Sequence, residues 1–218
     1  MKMTKRRRIS LTIFLGIMSA MAPLATDMYL PALPELSAEF SASTSATQLT
    51  LTMTLLGMAI GQIFLGPLSD MYGRKRPLFF GMVAFALVSA GCVYASSIEP
   101  FLALRFLQGF AGASGIVIAR AIARDVAEGV ELTRFLSILM LVNGLAPILA
   151  PVAGGQLLVF SSWRIVFAVL AAIGVLLAVW TLKTRETLAE GARQKSMTAS
   201  FHAFPTLLRD RYFLGHCL

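Results

Sequence analysis

Gly66-Pro67-Leu68-Ser69-Asp70-Met71-Tyr72-Gly73-Arg74-Lys75-Arg76-Pro77-Leu78 stands between two long apolar runs as a short, charged turn punctuated by glycine. Glycine suits a backbone that must take positive φ or pass close to a neighbour. Gly66-Pro67 closes the first run, and Pro77 opens the second at a favoured first-turn position. Three consecutive cations, Arg74-Lys75-Arg76, fix so short a loop to the cytoplasmic face of a bilayer. A basic turn is also a common surface feature, so the reading depends on the runs beside it.

Composition extends that reading to the whole chain. Of 218 residues, 57% are hydrophobic and 14% charged, where soluble chains carry roughly 25% charged residues. Mean hydropathy is +0.76. The net charge of +8 sits where apolar runs end, without the interleaved aromatics that nucleic-acid binding wants, so no nucleic-acid partner is expected. Cys92, Cys217, His202 and His216 show no disulfide or metal spacing, and no metal is expected. A nucleophile–base set and a phosphate-cradling loop are both lacking, which argues against an enzyme.

Six spans read as helices, at roughly 9–30, 47–68, 78–95, 100–119, 135–160 and 164–182. Lys2, Lys5, Arg6, Arg7 and Arg8 before the first resemble a signal-peptide start. The run 9–30 is nevertheless long enough to span, and no small-residue cleavage site leads into a hydrophilic domain. The first span is therefore read as uncleaved. Residues 183–210 turn polar and read as a cytoplasmic loop, while 211–218 read as the start of a truncated seventh span.

Charge sets the topology. Apart from Arg105 inside a span and Arg164 at a span edge, every Lys and Arg falls on one side of the spans. The opposite loops, 31–46, 96–99 and 161–163, contain none. Both termini are thus expected in the cytoplasm. Trp163 and Trp180 bracket the sixth span about 26 Å apart at 1.5 Å per residue and are expected as interfacial anchors.

Few residues could carry chemistry. Asp27, at the external end of the first span, opposes the helix macrodipole there. Ionisable groups in a membrane are functional candidates, although an interfacial aspartate wet by water is the plainer reading. Arg105 is the cation well inside a span, with Gln108, Gly109 and Gly112 on its face. An unpaired arginine at that depth is costly, so Asp27 or a polar side chain near it is the predicted partner.

Other positions have two readings. Gln48, Thr52, Leu55, Ala59 and Gln62 follow one helical face, suiting either a cavity wall or helix–helix hydrogen bonding. Asn143 has the same two readings. Gly57, Gly61, Gly109, Gly112 and Gly115 predict close helix packing. Pro147 and Pro151, bracketed by Gly144 and Gly154-Gly155, predict a bendable helix whose freed carbonyls are met by neighbours or cavity water.

Together these motifs resemble the N-terminal half of the major facilitator superfamily. Gly66 to Arg76 looks like its cytoplasmic loop motif, and Leu104-Arg105-Phe106-Leu107-Gln108-Gly109 is similar to its helix-four motif. Gly144 to Gly155 resembles the antiporter motif of helix five, with Ala146 where glycine commonly precedes proline. Asp27-Met28-Tyr29-Leu30-Pro31-Ala32-Leu33-Pro34 points to the bicyclomycin/chloramphenicol-resistance (Bcr/CflA) branch of drug:proton antiporters.

The resemblance implies an all-α membrane protein: a six-transmembrane-helix N-terminal half built of two three-helix inverted repeats, in the bacterial inner membrane. Its working partner would be a C-terminal six-helix half, with the lipid bilayer around both. The implied activity is proton-coupled efflux of small amphipathic drugs by alternating access, with no cofactor beyond protons as coupling ion. Asp27 and Arg105 would couple protons. Tyr29, Gln48, Thr52, Gln62, Gln108 and Asn143 would line the substrate cavity. Gly66, Asp70, Gly73, Arg74, Arg76 and Asp125 would form a conformational gate. Gly144, Pro147, Pro151, Gly154 and Gly155 would set helix bending and limit leak. Metabolite export on the same fold and a non-transporting fragment are the rival readings.

Overall fold

Hydrocarbon offers backbone groups no partner, so an apolar chain that crosses it must close its hydrogen bonds within helices. The computed structural model describes residues 5–193, whose regular structure is helical throughout. The expected seventh-span start at 211–218 and most of the polar loop lie outside the described residues. The elements are α1 (Lys5–Asp27), a 3-10 turn (Leu30–Ala32), α2 (Leu33–Glu39), α3 (Thr44–Tyr72), α4 (Lys75–Val93), α5 (Ile98–Val126), α6 (Gly129–Phe160) and α7 (Arg164–Lys183), followed by a second 3-10 turn (Glu190–Ala192). Six stretches of the described residues are long and apolar enough to cross a membrane, the first running from Arg8 through the 3-10 turn and α2 to Glu39 and the others being α3 to α7.

Two local features depart from the sequence reading. The stretch after α1 is not a plain loop: prolines in the first turns of the 3-10 turn and of α2 start both with a preset φ. Gly66-Pro67 does not end its helix, because α3 continues through Pro67 to Tyr72. Pro67 forfeits one ladder bond. Ser69 Oγ donates back to the Gly66 carbonyl at 2.8 Å, and the polar Ser69-Asp70 turn stays helical beyond the apolar run. The turn proper shrinks to Gly73, at φ 86°, and Arg74.

Packing follows small residues. A Cβ on Gly57 would strike the Phe106 carbonyl, and one on Gly109 would strike the Thr54 carbonyl. The backbones of α3 and α5 therefore touch, as helix association in lipid favours. On the other flank α4 packs on α5 and α7, while α1 lies between α5 and α6. Phe14, Met18, Met82, Phe85, Phe167 and Leu170 fill the space between these helices.

The ends sort by charge. At one end Arg8 pairs with Glu131 at 3.4 Å, and Arg74 pairs with Asp125 at 2.9 Å. At the other, Arg164 pairs with Glu39 at 2.5 Å and donates to the carbonyls of Val93 and Ala95, at 2.9 and 3.1 Å. Those last two bonds satisfy carbonyls left open where α4 stops.

Trp163 is not the interfacial anchor expected of it. It is fully buried, edge-on to Phe40, Phe101 and Phe167. Its Nε1–H donates to Glu39 at 2.6 Å, which lets a polar indole sit in a packed core. The short 161–163 connection draws it beneath α2. Trp180 remains partly exposed, with its ring 5.3 Å from that of Phe14.

Candidate functional site

Arg105 enters the membrane seven residues into α5 and is fully buried. It does not face lipid. Its Nη2 donates to the Ala25 carbonyl at 2.9 Å, and its Nη1 donates to Gln108 Oε1. The guanidinium carbon lies 4.1 Å from the Tyr29 ring centroid and 5.4 Å from that of Phe167. Stacking on aromatic faces suits guanidinium far better than ammonium.

No ion pair joins Arg105 to Asp27 among the described residues; the partner lies two residues earlier and is backbone. Ala25 is within the last turn of α1, where carbonyls lack helical donors and carry the negative end of the helix dipole. Arg105 thus supplies positive charge to the helix end on which Asp27 stands. Its Nε finds no hydrogen-bond acceptor among the described residues.

The expected cavity residues divide. Tyr29 and Gln108 are fully buried among the described helices. The Tyr29 hydroxyl meets Thr50 Oγ1 at 2.7 Å, and Gln108 Nε2 donates to Ser89 at 2.7 Å. Asn143 donates to Ser19 at 2.6 Å, which makes it a cross-link between α6 and α1. Gln48 and Thr52 sit on the exposed face of α3 and Gln62 is half-buried, while the buried polar stripe is Thr47, Thr50 and Thr54. Ser89, Thr50 and Thr54 were not singled out from sequence. Threonine's 3–4 spacing in α3 was the available signal.

At the junction of α3 and α4 Arg74 organises a cluster. Its Nε donates to Asp125 at 2.9 Å, its Nη2 to the same carboxylate at 3.4 Å, and its Nη1 to Ser69 at 2.8 Å and to Asp70. Such bidentate contact is what a guanidinium fork provides. Arg76 stays exposed, outside this cluster, and Gly66 lies a turn below it.

Glu186 was not foreseen. It accepts from the backbone N–H of Arg74 at 2.8 Å and of Lys75 at 3.1 Å, capping the start of α4 from the far end of the chain. Burial pushes its carboxyl up, but the N–H groups of Arg74, Leu188, Lys75 and Thr187 more than offset this and hold it below the ordinary glutamate value. Thr187 adds a bond to Asp125 at 3.0 Å.

In α6 the glycines and prolines singled out from the sequence lie on two faces. A Cβ on Gly154 would strike the Met28 carbonyl, whereas Gly144 and Gly155 have nothing within 4 Å. Pro147 is exposed on the open side, and α6 presents Met140, Leu141, Ile148, Leu149 and Val152 there. That much bare apolar surface suits lipid or another set of helices.

The whole is a bundle of membrane-length helices with a stacked arginine buried within it and a charge-clamped turn at the Arg74 end. The family described as the Major Facilitator Superfamily matches residues 15–218, and the chain belongs to it. Members of this family are transporters, not enzymes. An uncharacterized MFS-type transporter, YdgK of Bacillus subtilis, is 42% identical over 99% of this chain and 54% of its own length. The bicyclomycin resistance protein homolog of Haemophilus influenzae is 39% identical over 75% of this chain and 41% of its own. The multidrug resistance protein MdtL of Salmonella dublin is 32% identical over 88% and 49%.

The chain spans about half the length of these relatives. The inward-open xylose transporter XylE from E. coli superposes with a TM-score of 0.71 at 16% identity, covering 95% of this chain and 57% of that one. This likeness shows the fold: six helices corresponding to half of a major facilitator.

Proposed function

We propose that the chain forms the N-terminal half of a proton-coupled exporter of small amphipathic drugs, in a bacterial inner membrane with its start in the cytoplasm. The carrying observation is the placement of Arg105: buried, stacked on Tyr29 and bonded to the α1 end that bears Asp27. A fixed positive charge near a half-buried carboxylate gives a group whose proton affinity responds to small shifts of α1 against α5. Protons entering from outside would load Asp27, and substrate would displace them. Names of the bicyclomycin- and multidrug-resistance relatives support drugs as the substrate class.

Transport needs a second half. Alternating access rocks one six-helix unit against another around a midplane site. The open face of α6, with Gly144, Pro147 and Gly155, and the exposed Gln48–Thr52 face of α3 would meet it. The Arg74–Asp70–Asp125 cluster and the Glu186 cap would hold the cytoplasmic end of this half as one block while it rocks.

The test is proton-driven drug efflux in everted vesicles, comparing this 218-residue chain with a version joined to a C-terminal half. Asp27→Asn is made in both. The expected result is efflux from the joined version only, abolished by Asp27→Asn. Efflux that survives Asp27→Asn would remove the proton-coupling role, and silence from the joined version across a panel of amphipathic drugs would remove drug export.

A further inference from the structure

At the cytoplasmic end a cavity of about 620 Å³ opens between α1, α4, α5 and α7. Its floor is apolar, with Phe14, Leu78 and Trp180, and its mouth carries Lys75, Lys183 and Arg185. A second cavity, of about 740 Å³, runs along the α1–α7 seam past Ile17, Ile173 and Leu177. Ser10, Trp180 and Lys183 line both, so the two meet. Each is of the size that holds a small-molecule ligand.

The charges at the mouth are unspent. Lys183 and Arg185 make no ion pair or hydrogen bond through their side chains among the described residues, and Lys75 Nζ uses one of its three donors, on the Leu182 carbonyl at 2.7 Å. Arg74, also in the wall, is committed to its two aspartates. Trp180 lies at the joint, partly exposed, where an indole settles at the level of lipid head groups.

We propose that this joined site binds one anionic glycerophospholipid from the inner leaflet. The phosphate would sit between Lys183 and Arg185, with Lys75 beside it, and one acyl chain would lie in the seam along Ile173 and Leu177. Basic pockets between membrane helices on the cytoplasmic side are suited to such head groups. The apolar seam is what selects a lipid over a soluble phosphate, which would leave that surface bare. Occupancy would join α7 to α1, which otherwise touch sparsely, and would brace the segment carrying Glu186.

The test is native mass spectrometry of the delipidated full 218-residue chain in detergent, titrated with phosphatidylglycerol, phosphatidylcholine or inorganic phosphate. The expected result is a single phosphatidylglycerol adduct, with phosphatidylcholine weaker and inorganic phosphate unable to displace the lipid. Lys183→Gln with Arg185→Gln should weaken the adduct about 25-fold, near fivefold per cation. Arg120→Gln with Arg134→Gln, equal in charge on the same face but away from the cavity, should leave it unchanged. Ile173→Trp, which fills the seam, should weaken phosphatidylglycerol while sparing the head-group cations. Equal loss in the two double variants, equal binding of both lipids, or displacement by inorganic phosphate would overturn the proposal.

Discussion

Arg105 and Ala25 are joined by a 2.9 Å hydrogen bond from guanidinium to backbone carbonyl, across a pair of helices 80 residues apart in sequence. The acceptor is a helix end rather than a carboxylate. Arg105→Lys keeps the charge, but one ammonium cannot lie flat on Tyr29 while reaching both Ala25 and Gln108. The variant should insert and lose about 1–3 kcal/mol of stability, read as a lowered thermal midpoint in detergent. In the joined transporter it should lose proton-driven efflux, whereas a purely structural role would leave efflux in step with the amount of folded protein.

Glu186 supplies a pH test. Its folded pKa lies below the ordinary glutamate value of 4.5, so its stabilisation is fully present above that value. It is lost as pH falls through the lower folded value. The protection of the Arg74 and Lys75 amides against hydrogen exchange, taken relative to the intrinsic rate at each pH, should therefore fall as the solution is acidified below about pH 4.5. In Glu186→Gln those amides should exchange faster already at pH 7, with the acid-dependent step gone.

Gly57→Val and Gly144→Val make a matched pair. At Gly57 the added carbon meets the Phe106 backbone, which cannot rotate away, so α3 and α5 must separate. A loss of about 1–3 kcal/mol or more is expected. Gly144 has open space, and the same substitution should leave the melting of this chain unchanged. Joined to a second half, Gly144→Val should impair transport. Equal melting shifts in the two variants would contradict the packing described.

Trp163→Phe keeps the aromatic cluster and removes the 2.6 Å bond to Glu39. Hydrogen bonds to charged groups contribute about 1.5–3 kcal/mol, so thermal unfolding should shift downward by that order. Trp180→Phe, which breaks no protein hydrogen bond among the described residues, should shift it less.

Much of this architecture was legible in hydropathy and in Lys and Arg placement, because lipid imposes both. Helix continuation past Pro67 was not, since Ser69-Asp70-Met71-Tyr72 looks polar while staying helical at the membrane surface. Asp27 was a natural guess for Arg105 because side-chain charges are visible in a sequence and an open carbonyl at Ala25 is not. Glu186 escaped for the same reason: its partners are backbone N–H groups more than a hundred residues away. Asp125 came through family likeness alone, as one acid among several near the basic ends. Trp163 was misplaced because composition places an indole near an interface without saying which ring cluster it will join.

Gly154 rests on the Met28 peptide with no side chain between them. Side chains are the compliant parts of a helix contact: they change rotamer and absorb small displacements. Here two main chains bear directly on one another, like a lever on a rigid fulcrum. Any tilt of α6 at this height must move the Met28–Tyr29 peptide, one residue beyond Asp27, or else part from it. The stiffness of one glycine contact thus makes the posture of the proline-bearing helix mechanically audible at the carboxylate beside it.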